Sequence, residues 1–145
     1  MNMSSVRTAI VLLAALLVSA CASGPTVSES PEARKAAAPG KTRIVIYRSS
    51  VIGAAVQPAI KVDGRKTGSC EPNGVFFVDV RPGKHEVSAS TEVTETITVD
   101  TRRSRTVYVE CSIGIGVLVG RPHLAKVPSN TGKRKIAKLA FGGKY

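Results

Sequence analysis

From Lys41 onward, apolar side chains tend to recur at every second residue, which is the period of a β-strand. Residues 92–99 show the alternation most clearly, with Val93, Ile97 and Val99 on one face and threonines on the other. Residues 42–48 are apolar on both faces, as expected for a strand in the core. The pattern predicts seven strands, at 42–48, 59–63, 65–69, 75–80, 85–90, 92–99 and 105–111.

Turn residues separate these strands. Asp63-Gly64 is a strong hairpin signal, and Pro72-Asn73-Gly74 and Arg81-Pro82-Gly83-Lys84 also favour turns. Short strands with regular turns predict an all-β fold, a small antiparallel β-sandwich or partly open barrel.

The turns also suggest which strands lie side by side. Folding about Pro82-Gly83 would set Val78 near Val87 and Phe76 near Ala89, and the turn at 100–104 would set Ile97 near Val107 and Val93 near Cys111. Cys111 would then point inward. Glu95 falls on the same apolar face, which indicates either an open end of the sandwich or a different register.

The N-terminal pattern is of another kind. Arg7 precedes an apolar run from Ile10 to Val18, and small residues precede Cys21. This is the layout of a secretory signal, and the run is shorter than the roughly 20 apolar residues that span a bilayer. Two alternatives are an uncleaved transmembrane anchor and an ordinary signal whose cysteine is incidental.

The stretch Val18-Ser19-Ala20-Cys21 resembles the lipid-attachment box of bacterial lipoproteins. That resemblance implies a diacylglycerol on the Cys21 sulfur, cleavage of the peptide bond before it and acylation of the new amino group. The next residue is Ala22 rather than the Asp that retains many such proteins in the inner membrane, which favours an outer-membrane location facing the periplasm.

The sequence therefore divides into four expected parts. Residues 1–20 are a signal peptide, 21–40 a lipidated N-terminus with a flexible linker, 41–128 the β-sandwich and 129–145 a basic tail. The linker has no apolar period, so it would not fold by itself and would reach about 25 Å.

Charge limits the class of partner. The chain has 21 Lys and Arg against 10 Asp and Glu, and removing 1–20 takes away only Arg7. A basic protein attracts polyanions. An exported protein would meet anionic envelope polymers or lipids rather than nucleic acid.

Two basic clusters are candidates for binding an anionic surface. One is the turn with Arg102, Arg103 and Arg105. The other lies in the tail and comprises Lys133, Arg134, Lys135 and Lys138. In the tail, Ile136, Leu139 and Ala140 share one helical stripe, so the segment either lies on a membrane or is a frayed, solvated end.

Cys70 and Cys111 remain once Cys21 is set aside, and two cysteines in an exported domain predict one disulfide. A zinc site would need Cys70, Cys111, His85 and His123, but none of these has the close spacing of structural zinc ligands. A Cys70 nucleophile with His85 as base lacks an orienting third group.

Glycines alternate with aliphatic residues at 114–120. Their spacing does not fit a dinucleotide loop. They could let another strand approach closely, form a mobile flap or expose a small apolar patch to a partner.

Three strings resemble a group of bacterial envelope lipoproteins that carry the domain of unknown function numbered 2846: Lys61-Val62-Asp63-Gly64, Gly74-Val75-Phe76-Phe77-Val78 and Arg81-Pro82-Gly83-Lys84-His85-Glu86-Val87. The Pro-Gly-Lys-His turn is also similar to prealbumin-like or carboxypeptidase-regulatory-like sandwiches. The resemblance covers about 42–127 and implies a small β-sandwich, with no activity attached.

These observations predict a lipid-anchored, non-enzymatic envelope protein with no cofactor, acting as a binding or structural module. One alternative is an accessory subunit that contacts a larger envelope assembly through 113–119 or the basic tail. Another is a small periplasmic hydrolase or redox enzyme.

Overall fold

Nine strands form two sheets in the computed structural model, which describes residues 22–145. The elements are α1 Pro31–Arg34, β1 Thr42–Arg48, β2 Ala59–Val62, β3 Arg65–Ser69, β4 Gly74–Val80, β5 Lys84–Ser90, β6 Thr94–Asp100, β7 Thr106–Gly114, β8 Arg121–Val127, α2 Ser129–Ile136 and β9 Ala140–Lys144. The predicted all-β sandwich is confirmed. The predicted signal peptide and Cys21 lie outside the described residues.

The five-stranded sheet has the order β8-β7-β1-β4-β9, and the four-stranded sheet has the order β3-β2-β5-β6. β1 pairs in parallel with β7, and β4 pairs in parallel with β9. The five-stranded sheet is therefore mixed, and the expectation of purely antiparallel pairing is wrong for it. The two strands beyond the predicted seven are β8 and β9, which follow the part of the chain where the period-two pattern is clear.

The predicted hairpin at Asp63-Gly64 is confirmed. β2 and β3 pair across this turn, with Val62 opposite Arg65. Asp63 and Gly64 both have positive φ, 51° and 78°, as a tight two-residue turn between right-twisted strands requires.

The other two predicted neighbour relations are wrong. β4 and β5 lie in different sheets, as do β6 and β7, so Val87 pairs with Ile97 and Val107 pairs with Ile44. The inner faces of the two sheets meet in one core, where Val78, Val87 and Cys111 are buried together. Alternation therefore identified the inward face, but it could not say whether the partner lay beside the strand or across the sandwich.

β1 is buried along its whole length because it has a core on each side. Ile44 and Ile46 belong to the core between the sheets, whereas Val45 and Tyr47 belong to a second cluster on the outer face of the five-stranded sheet. This outer cluster consists of Ala33, Val45, Tyr47, Val75, Phe77, Tyr108, Ile136 and Leu139. Residues 42–48 are therefore apolar on both faces because each face of β1 packs into a different cluster.

The segment 22–40 covers part of the outer face, so the expected flexible linker is not found in residues 22–40. Val27 and Ala33 pack on the outer cluster, Ser30 caps α1 by accepting from Ala33 N at 3.2 Å, and Thr26 bridges to Ala140. The composition of 22–40 predicts only how the segment would behave in isolation. The few apolar side chains of 22–40 are enough to hold the segment in place, because the sheet provides an apolar surface against which they are buried.

The C-terminal segment completes the outer layer as α2 and β9. Ile136 and Leu139 are each 6% exposed against the sheet, and β9 pairs with β4. The segment is thus neither the frayed tail nor the membrane-lying helix that the sequence left open, because its apolar stripe is covered by the protein's own sheet.

One buried ion pair joins both terminal segments to the sheet. The Arg43 guanidinium donates to Asp79 from Nε at 2.7 Å and Nη2 at 3.1 Å, and to the carbonyls of Lys35 and Ala36 at 2.6 and 3.1 Å. Lys144 of β9 donates to the same carboxylate at 2.8 Å. The Arg43 and Asp79 side chains are only 6% and 7% exposed. Neutralising Asp79 would leave the buried Arg43 charge without its counterion.

The predicted disulfide is confirmed, and it links the two sheets. Cys70 directly follows β3, Cys111 lies in β7, and their Cα atoms are 6.1 Å apart.

We expect the double variant Cys70→Ala/Cys111→Ala to lose about 4 kcal/mol of unfolding free energy, because it frees a closed loop of about 40 residues. Urea unfolding of this variant beside oxidised wild type measures the difference. Equal midpoints would contradict the stabilising role.

We expect Asp79→Asn to lower the unfolding free energy by about 3 kcal/mol, because the buried Arg43 charge loses its anion. Hydrogen exchange should show faster exchange at 22–40 and 140–145 than in wild type. The control is Asp100→Asn, whose exposed pair with Arg102 is screened by solvent and should contribute much less to stability. Equal stability of the two variants would contradict the role of the pair.

The same pair predicts a pH dependence. Burial tends to raise the pKa of Asp79, but hydrogen bonds from Arg43 and Lys144 outweigh it, and the pKa is lowered. The stabilisation is therefore present above the unfolded-state pKa of about 4 and is lost as the pH falls through the lower folded-state value. Protection factors at 22–40, which are corrected for the pH dependence of intrinsic amide exchange, should fall below about pH 4 in wild type, and this fall should be smaller in Asp79→Asn.

Candidate functional surfaces

The sandwich has two ends of different chemistry. The first, here called the Ala22 end, gathers the last residues of β1 and β7, the first residues of β4 and β8 and the start of the described chain. Ala22 N donates to the Pro72 carbonyl at 2.9 Å, and Gly74 lies directly against Ala22. The chain therefore enters the fold at this end.

The loop at 49–57, on the Ala22 end, is organised by Arg48. This side chain is fully buried, and its guanidinium donates to the carbonyls of Ser50, Ile52, Val56 and Cys70 at 2.7 to 3.1 Å. A planar fork of donors satisfies carbonyls that diverge in space, which a single ammonium group does less well. Arg48 therefore fixes the loop and ties it to the end of β3.

The β7–β8 hairpin projects from the same end and exposes aliphatic side chains. Ile115 is 99% exposed, Leu118 89% and Val117 81%. The Glu92 carboxylate accepts from Val117 N at 3.0 Å and Leu118 N at 3.3 Å, and the hydrogen bond from Val117 is the largest cause of its lowered pKa. Of the interpretations of 114–120, the exposed apolar patch fits best.

Two glycines of this hairpin are needed for the hairpin's own conformation, because side chains at their positions would collide with neighbouring atoms. A side chain on Gly116 would collide with the Val119 carbonyl, and one on Gly120 would collide with Ile113. Among residues 22–145, no strand pairing includes 115–119, and the β7–β8 ladder ends at Gly114 and Arg121.

Glu95, the misfit of the predicted register, has a partner. It accepts from Leu124 N at 3.0 Å, and His123 Nδ1 lies 3.1 Å from the same oxygen. β6 and β8 are edge strands of different sheets, so this carboxylate joins the sheets along one side of the sandwich.

The opposite end, here called the basic end, collects the turns that carry excess positive charge. Its basic residues are Lys41, Arg65, Arg81, Lys84, Arg102, Arg103 and Arg105. Arg102 pairs with Asp100, and these two residues line a groove of about 440 Å³ together with Arg103, Lys126 and Ser129. The groove presents positive side chains to solvent.

The structure separates the two basic clusters that the sequence suggested. Arg102, Arg103 and Arg105 are exposed at the basic end, whereas Lys138 is exposed near Asn73 at the Ala22 end. Lys133 and Arg134 are exposed on α2, and Lys135 pairs with Glu110 at 2.8 Å. The seven cations therefore do not form one surface.

His85 links two turns at the basic end. Its Nδ1 lies 2.7 Å from Asp63 Oδ2, and its Nε2 lies 2.8 Å from the Arg81 carbonyl. Burial tends to raise the pKa of Asp63, but hydrogen bonds from His85 and Glu86 N lower it. The pair thus locks the β2–β3 turn to the β4–β5 turn.

The residues considered for zinc or nucleophilic catalysis do not come together. Cys70 and Cys111 are joined as the disulfide, and His85 lies at the basic end. Within residues 22–145, no group of three or more His, Cys, Asp and Glu side chains is arranged to hold a metal ion. No helix in the same range is long and apolar enough to cross a bilayer.

Sequence reasoning missed Arg43, Asp79 and Arg48. The available signal was their position: Arg43 and Arg48 flank four apolar residues in a strand predicted to be buried. A charge held at the end of such a strand needs a buried partner, although the sequence does not identify it.

We expect Arg48→Lys to destabilise the protein by about 2 kcal/mol, because one ammonium cannot satisfy all four carbonyls that the guanidinium binds. Thermal unfolding measures the loss, and proteolysis should cut at 49–57 more readily than in wild type. Arg121→Lys is the matched control, since Arg121 is exposed and its nearest contact to Glu92 is 3.7 Å. Unchanged proteolysis of 49–57 in Arg48→Lys would contradict the assignment.

Comparisons with known proteins identify a family but name no activity. Residues 38–121 match the sequence model of a family described as "Protein of unknown function (DUF2846)". An uncharacterized protein of Haemophilus influenzae is 32% identical over 130 residues, covering 86% of this chain and 77% of the relative. No solved structure matches.

Proposed function

The chain belongs to the DUF2846 family of proteins of unknown function, and on that premise we propose that it is a lipid-anchored, non-enzymatic module of the bacterial cell envelope. The observation that carries the proposal is the position of Ala22. This residue is held against Pro72 at one end of the sandwich, and it is bonded directly to Cys21, the residue of the lipid-attachment box.

An acylated Cys21 would bring the Ala22 end to the membrane surface. Two or more acyl chains give stable anchoring, at about 0.8 kcal/mol per buried methylene. Because 22–40 packs on the sheet, the domain would sit close to the bilayer instead of at the end of a long tether. The proposal includes the outer membrane as the location, on the basis of Ala22 in place of Asp.

The basic end would then point away from the lipid, into the aqueous layer. β1 has seven residues, so the two ends are separated by about 20 Å. Its excess of Arg and Lys and the groove beside Arg103 suit an anionic polymer of the envelope more than the membrane that holds the anchor. This part of the proposal concerns Arg102, Arg103 and Arg105.

A non-enzymatic role is supported by how the reactive side chains are used. The two cysteines of the sandwich are joined to each other, and His85 and His123 both contact carboxylates in structural pairs. A thiol-based hydrolase or redox enzyme would need a free Cys70 or Cys111. The likeness to prealbumin-like sandwiches belongs to the proposal as well, and it adds no activity.

An accessory subunit of an envelope assembly is the second candidate, and the exposed hairpin at 115–118 favours it. Crosslinking in cells followed by co-purification separates the two. A stoichiometric partner crosslinked at the hairpin would favour the assembly.

Membrane fractionation with mass spectrometry of the mature N-terminus tests the anchor. We expect wild type to begin at an acylated Cys21 and to fractionate with the outer membrane, and we expect Cys21→Ser to lose both properties because it has no thiol to acylate. Ser23→Ala, two residues further on, is the control and should behave as wild type. A water-soluble, unacylated protein that retains Met1 would refute the proposal.

A further inference from the structure

We propose that the hairpin tip at 115–119 and the neighbouring loop at 51–54 form a second membrane contact, which inserts into the interface of the bilayer that holds the Cys21 anchor. This inference rests on the proposed anchor and adds a site to it. It assigns the tip to lipid, although the second candidate function would assign it to a protein partner.

The two loops form one apolar tip because they touch each other. A side chain on Gly53 would lie 3.0 Å from Ile113, and one on Gly120 would lie 3.7 Å from Val56. Beyond this contact the loops expose Ile52, which is 75% exposed, along with the aliphatic residues of the hairpin. Burying such side chains in an interface is favourable, in proportion to the apolar area removed from water.

The composition of the two loops lowers the cost of insertion. No Asp, Glu, Lys or Arg occurs at 49–60 or at 111–120. Backbone groups of both loops are already partly satisfied, by Arg48 in the first and by Glu92 in the second. Charged groups and unsatisfied backbone groups are what a lipid phase rejects most strongly.

The position of the tip indicates that its binding partner is the bilayer that holds the Cys21 anchor. β1 ends in the 49–57 loop, and Arg48 at its end pairs with Gly74, which contacts Ala22. β7 runs parallel to β1, so the hairpin tip leaves the sandwich at the same end. An acyl group on Cys21 and the apolar tip would therefore meet the same surface.

Charges around this end are of both signs. The exposed charged residues there include Arg121, Lys138, Glu71 and Glu92. Attraction to anionic lipid therefore contributes little, and we expect the contact to persist at high salt, unlike binding through a basic patch.

The chain contains no Trp, so single tryptophans can report the depth of each end. The experiment uses lipidated protein purified from membranes and reconstituted into vesicles of phosphatidylethanolamine and phosphatidylglycerol, with or without brominated acyl chains. Leu118→Trp and Ile115→Trp probe the tip, and both positions are too exposed for the change to disturb the core. Arg103→Trp, at the basic end, is the matched control.

We expect the tip tryptophans to show blue-shifted emission that brominated lipid quenches, and the Arg103→Trp protein to show neither. Replacing Ile115 and Leu118 by Ser in an Ile52→Trp protein should reduce the quenching of that tryptophan, since the two loops insert together.

Three results would overturn the inference. Unquenched tip tryptophans in protein that floats with the vesicles would show an anchor without a second contact. Failure of the protein to float with the vesicles would contradict both the Cys21 anchor and the tip contact. A blue shift that occurs without vesicles and grows with protein concentration would identify a second copy of the chain as the occupant.

Discussion

The outer half of this structure depends on the buried pair of Arg43 and Asp79. A guanidinium in a low-dielectric site needs its donors satisfied, and here two of them face a carboxylate while others face backbone carbonyls of 35–36. Arg43 also lies 4.7 Å from the Phe77 ring centroid, over its negative face. The pair specifies where the N-terminal segment and β9 lie, in addition to any net stability it contributes.

A strand that is apolar on both faces imposes a covering layer, and the chain supplies it from its two terminal segments. The region that matches the family, 38–121, contains β1 to β7 and the Arg43–Asp79 pair. The segments that cover the outer cluster, 22–37 and 128–145, lie outside that region. The relative from Haemophilus influenzae matches more of the chain than the family region does, so its similarity extends into these covering segments.

The sequence predicted properties that depend on local pattern and missed those that depend on where elements meet. Alternation placed Cys111 inward, and the Asp63-Gly64 turn fixed a hairpin. Period two does not say which sheet a strand joins, so it wrongly predicts that β4 lies beside β5 and β6 beside β7. Residues 22–40 and 129–145 have too little apolar surface to fold alone, and only the outer face of the sheet makes them ordered. For 114–120 the sequence leaves several interpretations open, one of them an exposed apolar patch, because the exposure of a hairpin depends on what it packs against.

The bridge between Thr26 and Ala140 has a consequence for the order of folding. Residues near the beginning of the chain acquire their hydrogen-bond partners only when residues near its end are available, and parallel β4–β9 pairing is equally non-local. Contacts of such long sequence separation slow folding, because the chain loses loop entropy before it gains the contact. During synthesis, the hydrogen bonds between 25–28 and 137–141 therefore form only after the end of the domain has emerged.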